Sequence, residues 1–164
     1  MVIRSIIDWT FVSGRLLKGY AEMLLSVLAL AIFIPIMMDS GGNAGAQSLA
    51  MVVRGLATGE VTPDQMWKIV KKEVLAGLMS GILMGVIAMF GVFVLQGFNL
   101  NLAFAVGFSL AMVVTVATVT GAFLPLLFKR LGFDPAVAAS PFITTTVDAT
   151  CLIIYFEVAK RLLF

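Results

Sequence analysis

The sequence predicts an all-α integral membrane domain of four transmembrane helices preceded by a segment that is either a fifth, first crossing or an interfacial helix, and three observations carry the membrane reading. Of the 164 residues, 61% are hydrophobic and only 12% charged, about half the charge of an ordinary soluble domain. Residues 74–128 contain no charged side chain, a run longer than one crossing of about 20 residues. The basic residues gather in short segments between the apolar runs, where they act as topology markers. A net charge of +2 gives no reason to expect a nucleic-acid partner. The single cysteine, Cys151, excludes an internal disulfide, and the absence of histidine removes His-based catalysis and His-rich metal sites. No paired-aspartate metal motif and no nucleophile beside a base is found, so no enzymatic chemistry is expected.

Taken in order, residues 1–20 form either an interfacial amphipathic helix or the first crossing. Arg4, Asp8, Arg15, Lys18 and Glu22 fall within about 80° of one another on a helix, with Ile3, Ile6, Ile7, Phe11, Leu16 and Leu17 on the other faces. Asp8, Arg15 and Lys18 interrupt the apolar runs and make this a poor signal peptide. Residues 23–38 are apolar except for Ser26 and then meet Asp39-Ser40-Gly41-Gly42-Asn43-Ala44-Gly45-Ala46-Gln47. Glycine readily leaves helical geometry, so this stretch is expected to break the second helix, which resumes over residues 48–56. A plain loop between two short helices is the alternative.

Residues 54–73 are the most charged part of the chain. Thr62-Pro63 marks a helix start, and Lys68, Lys71 and Lys72 place the loop on the cytoplasmic side. Glu73, where this segment enters the membrane, is expected to pair with Lys68 or Lys72, with a secondary cation ligand as the alternative. Residues 74–95 form a full span in which Gly77, Gly81 and Gly85 recur every four residues, a spacing that lets another helix approach closely. Gln96 to Asn101 form an external turn. Residues 102–128 cross back, with Thr115, Thr118 and Thr120 bonding their own backbone. Lys129 and Arg130 return the chain to the cytoplasmic side. Asp134-Pro135 starts a short helix over residues 136–139, ended by Pro141, and the last span runs over residues 142–159. Glu157 is expected to pair with Lys160 or Arg161, which lie outside against the general charge bias.

One carboxylate, Asp148, lies about two turns inside that last span. A charge at such depth costs at least about 2.5 kcal/mol and therefore faces protein or water. Residues 39–47 and 140–148 together supply carboxylate, amide, hydroxyl and carbonyl oxygens, which suit hard cations such as Mg²⁺, Ca²⁺ or Mn²⁺. Mg²⁺ sheds its water reluctantly, so a pore for it would touch the ion mainly through water. One Asp148 neutralises half of a dication, and two copies about a symmetry axis would supply the remainder, so a homodimer is the economical arrangement.

Gly41-Gly42-Asn43-Ala44-Gly45-Ala46-Gln47, followed by Arg54-Gly55-Leu56-Ala57-Thr58, resembles the signature of the MgtE magnesium channel and transporter family. Lys72-Glu73, Asp134-Pro135-Ala136 and Pro141-Phe142-Ile143-Thr144-Thr145-Thr146-Val147-Asp148-Ala149-Thr150 are similar to the family's later motifs. The order and spacing match from about Gly19 to Leu163, so residues 1–164 read as a single MgtE-like transmembrane domain. The resemblance implies a homodimer in the cell membrane with a pore between subunits, lined by the second and fifth helices, that moves hydrated Mg²⁺. It implies Asp148 as the carboxylate holding the ion, Thr144 as a backbone carbonyl donor and Asn43 as a pore asparagine. Gln47, Thr145 and Asp39 are the further oxygen donors read from the two segments. Glu73 and Asp134 match acidic positions near the cytoplasmic mouth. Cation exchange coupled to Na⁺ or H⁺, and a non-transporting accessory subunit, are the other readings, and Mn²⁺, Co²⁺ or Ca²⁺ are the other candidate ions.

The sequence departs from the family pattern in several places. The cytosolic N-terminal domain and CBS domains typical of the family are not in it. The chain is therefore expected to be a short membrane-only relative or an excised fragment, and a separate regulatory protein is a candidate partner. Asp39 stands where relatives often have a small neutral residue, Ser140 where an asparagine is expected, and residues 1–20 are less apolar than the family's first helix.

Overall fold

The computed structural model describes residues 28–163 apart from 96 and 98, together with Gly14, Arg15, Lys18 and Tyr20. The predicted first span lies almost wholly outside the described residues. Among them are four long helices: α1 (Leu28–Thr58), α2 (Met66–Leu95), α3 (Leu100–Arg130) and α4 (Pro135–Leu163), with a 3-10 turn at Pro63–Gln65 leading into α2. The helices are 31, 30, 31 and 29 residues long, so each reaches more than 40 Å at about 1.5 Å per residue. Two segments, Pro63–Leu95 and Leu100–Arg130, are long and apolar enough to cross a membrane.

The helix starts and stops follow local chemistry. Pro63 opens the 3-10 turn, while Thr62 has extended backbone geometry but makes no side-chain cap bond. Asn99 caps α3 by accepting from the Leu102 amide at 3.0 Å. Asp134 accepts from the Ala136 amide at 2.9 Å at the head of α4. Gly59 and Gly132, just past the ends of α1 and α3, have φ of 77° and 81°, the left-handed region where a Cβ is unfavourable.

α3 is the centre of the bundle, with α1, α2 and α4 packed round it and α1 packed also on α4. In its most apolar stretch 61% of residues are buried, against 17% for α2, which lies at the periphery. α2 touches α3 through a seam of small residues. A Cβ on Gly85 would sit 2.5 Å from the Gly107 carbonyl oxygen, and a Cβ on Gly107 would sit 2.5 Å from the Gly85 oxygen. The two backbones meet, so both positions need glycine. The other faces of α2 carry exposed Leu75, Met79, Ile82, Leu83, Ile87 and Phe90. In water such a surface would be a liability; in a bilayer it matches the solvent.

The core has distinct ends. Leu30, Met37, Val106, Leu110, Tyr155 and Phe156 fill one end of the bundle. The Tyr155 hydroxyl is buried there and donates to the Leu30 carbonyl at 2.9 Å. Val52, Met66, Val70, Ala122 and Leu126 fill the other.

Two sequence expectations are corrected. α1 runs without interruption through residues 39–47 and through Pro35. Its glycines serve close packing instead of breaking the helix. A Cβ on Gly41 would meet Cys151 Sγ at 2.5 Å and Val113 at 2.8 Å, and one on Gly45 would meet the Ala117 carbonyl oxygen at 3.3 Å. Gly121 of α3 answers from the other side, where a Cβ would collide with the Gly45 backbone. The α4 helix likewise continues past Pro141, so the separate short helix over residues 136–139 is part of one helix.

Candidate functional site

Once α1 is continuous, Asp39, Asn43 and Gln47 stand at i, i+4 and i+8 and share one face. They line an open pocket of about 410 Å³ between α1, α2 and α3. Ser40 and Ser48 join them from α1, Glu73 and Ser80 from α2 and Thr118 from α3, all oxygen donors beside Asn43 and Gln47. Asp39, Asn43 and Gln47 are exposed, whereas Ser48 is buried.

Glu73 is fixed in this pocket. The Ser48 hydroxyl donates to Glu73 Oε2 at 2.7 Å, a charge-assisted bond between α1 and α2. The expected pairing of Glu73 with Lys68 or Lys72 is not found, because its carboxylate points across the helix interface toward Ser48. Thr115, Thr118 and Thr120 do bond carbonyls of their own helix, at 2.7, 2.9 and 2.8 Å. Thr118 Oγ1 also lies 3.4 Å from the Glu73 carbonyl oxygen.

Asp148 is half-buried near the middle of α4 and does not line that pocket. Its neighbours Val147 and Cys151 are buried against Val113 and Ala117 of α3, on the side where α4 also receives the α1 glycines. Thr144, exposed, and Thr145, half-buried, precede Asp148 by four and three residues on the same helix. Gly42 of α1 has nothing within 4 Å of where a Cβ would be, unlike Gly41 and Gly45 on either side of it. Asp148, half-buried between Val147 and Ala149 along α4, is thus not sealed inside the bundle.

Asp134 occupies a third position. It lines a pocket of about 370 Å³ with Lys129, Phe133, Pro135 and the end of α1 at Val53, Leu56 and Ala57. Glu73 lines a different pocket, so the two residues paired by sequence reasoning as a mouth site are not brought together within one chain. Arg54, Lys68, Lys71, Lys72, Lys129 and Arg130 all lie at the end of the bundle where α1 stops, α2 begins and α3 meets α4. At the opposite end Arg161 Nε lies 3.9 Å from Glu157 Oε2, as expected, and the Tyr20 hydroxyl donates to Glu157 Oε1 at 2.8 Å.

Sequence reasoning missed Ser40, Ser48, Ser80 and Thr118 as pocket residues. Continuing the i, i+4 stripe of Asp39, Asn43 and Gln47 as a helix would have shown Ser40 on its flank. Among the described residues, no three Asp, Glu or Cys side chains converge as direct metal ligands. What the arrangement offers is a set of spaced carboxylate, amide and hydroxyl oxygens, suited to hydrogen-bonding the water of a hydrated cation.

Long helices with apolar outer faces and close glycine seams define a helical membrane domain. The chain belongs to the MgtE family of divalent cation transporters, which residues 34–158 match. It is 40% identical over 148 residues to the magnesium transporter MgtE of Enterococcus faecalis, covering 90% of this chain and 32% of that protein. To the magnesium transporter MgtE of Thermus thermophilus it is 37% identical, over 93% of this chain and 33% of the relative. To that of Bacillus subtilis it is 34% identical, over 90% and 33%. The chain thus spans about a third of the length of these curated relatives.

Proposed function

We propose that this chain forms the pore of a magnesium channel or transporter in the cell membrane, as a homodimer with five crossings per subunit. Residues 1–20 supply the first crossing and place the N-terminus in the cytoplasm. The observation that carries the reading is the position of Asp148, a half-buried carboxylate at mid-helix with no cation beside it in its own chain among the described ion pairs. A lone charge at that depth needs water or a partner. A second copy facing it across a two-fold axis would give two carboxylates to one dication.

In this reading α1 and α4 line the pore. Asp148 attracts and holds the hydrated ion, Thr144 and Thr145 lie along its path, and Asn43, Gln47 and Asp39 bond its water shell. Glu73 and Asp134 are acidic residues on the cytoplasmic approach. The magnesium in the relatives' names is the substrate assigned here. Inward flow is driven by the membrane potential, about 4.6 kcal/mol per 100 mV for a dication.

Mg²⁺ uptake into proteoliposomes tests this. Uptake that follows an imposed negative-inside potential, without Na⁺ or a pH gradient, is expected. Uptake that requires either gradient would favour a coupled exchanger, and no uptake from a well-folded dimer would favour an accessory subunit.

A further inference from the structure

We propose that the head of α2 is a binding surface for anionic phospholipids of the cytoplasmic leaflet. Lys68, Lys71 and Lys72 are all exposed, and none is in an ion pair among the described residues. Asp64, one turn before Lys68, is exposed but makes no ion pair with it. Glu73, the nearest carboxylate in sequence, is turned away to Ser48. Three ammonium groups therefore stand together with no protein counter-charge.

Helix geometry places them at head-group level. The uncharged stretch from Val74 to Leu95 spans about 33 Å at 1.5 Å per residue, close to the ~30 Å hydrocarbon thickness of a bilayer. The lysines lie within the first two turns beyond its edge. They occupy about 100° of the helix, and Leu75, Met79 and Ile82, which are 61%, 67% and 57% exposed, continue the same strip into the membrane. This strip is on the opposite side of α2 from Glu73 and Gly77, which face the bundle. Trp67, 65% exposed, stands one helical turn before Lys71, where an amphipathic indole suits the interface.

Cations directly above a lipid-facing apolar strip complement a phospholipid with a negative head group over its acyl chains. The partner is a lipid such as phosphatidylglycerol, held by charge and otherwise exchangeable.

The test uses Trp67 as the reporter in a Trp9→Phe background, reconstituted into phosphatidylcholine vesicles. Brominated phosphatidylglycerol and brominated phosphatidylcholine are compared as quenchers at equal mole fraction. Stronger quenching by phosphatidylglycerol is expected, and it should disappear at 1 M salt as the charges are screened. The triple change Lys68→Gln, Lys71→Gln, Lys72→Gln should lower the relative affinity for phosphatidylglycerol at least about fivefold, the effect of one lysine at an anionic surface. Equal quenching by the two lipids, no quenching by either, or a preference that survives the triple change would overturn the proposal. Transport activity does not enter the readout, so the result is independent of the pore assignment.

Discussion

Gly81→Ala is expected to destabilise the bundle, whereas Gly91→Ala, ten residues further along α2, is expected to leave it at least as stable. At Gly81 the new Cβ would lie 2.6 Å from the Ala111 carbonyl oxygen and 3.2 Å from Thr115 Oγ1. The first neighbour is backbone of the central helix and cannot rotate away. Reaching ordinary contact at 3.4 Å requires the helices to part by about 0.8 Å, loosening the contacts of Gly77 and Gly85 on the same seam. Overpacking of this kind costs about 1–3 kcal/mol. At Gly91 a Cβ meets nothing within 4 Å, so the substitution acts only through helix propensity, a gain of about 0.5–1 kcal/mol. The propensity gain is common to both sites, so the difference between the variants isolates the clash. For a chain of this size it corresponds to melting points separated by roughly 2–12 °C. Thermal unfolding of the purified protein in detergent, followed by loss of the monodisperse peak, measures it. If Gly81→Ala melts with or above Gly91→Ala, the close approach of α2 and α3 is wrong.

Two further outcomes follow from single hydrogen bonds. Ser48→Ala removes the donor to Glu73 and should cost about 1.5–3 kcal/mol, as for other bonds to a charged group. A double-mutant cycle with Glu73→Ala checks that the loss belongs to this pair, and additive effects would contradict it. Tyr155→Phe removes the buried bond to the Leu30 carbonyl with no change of shape and should cost about 0.5–1.5 kcal/mol in the same melting assay. An unchanged melting point would argue that α1 and α4 are not joined there.

Much of α2 and α3 is legible in the sequence, because the uncharged runs and the turn around Asn99 fix the end of α2 and both ends of α3 within a few residues, while Thr62-Pro63 marks the segment leading into α2. The Gly77, Gly81 and Gly85 spacing also reads correctly as a packing face. Residues 39–47 read wrongly for a physical reason. A glycine weakens an isolated helix, yet it is what a helix needs where another backbone comes within contact distance. Only the presence of Val113, Ala117 and Cys151 opposite Gly41 and Gly45 decides between the two. Pro141 misleads in the same way, as a residue that disfavours helix locally but is carried within a long one. The role of Glu73 was hidden because its partner, Ser48, is 25 residues away on another helix, while three lysines stand within five positions. The charged ends were legible, since the basic loops predicted for one side do meet at one end of the bundle. Asp148 was conspicuous as an acid deep within its span, unlike Glu157 at the span's far end, whereas the serines around Asn43 became visible only with α1 continuous.

The most direct test compares Mg²⁺ uptake by the unaltered chain with that of Asp148→Asn, reconstituted at matched density under the same membrane potential. The substitution keeps size and hydrogen-bonding capacity and removes only the charge, so the fold should be retained, as a melting curve would verify. The pore assignment predicts uptake by the unaltered chain and its loss in the variant. Equal uptake by both would contradict it and would move the cation path elsewhere, with the α1–α2 pocket around Asp39, Asn43 and Glu73 the first place to look.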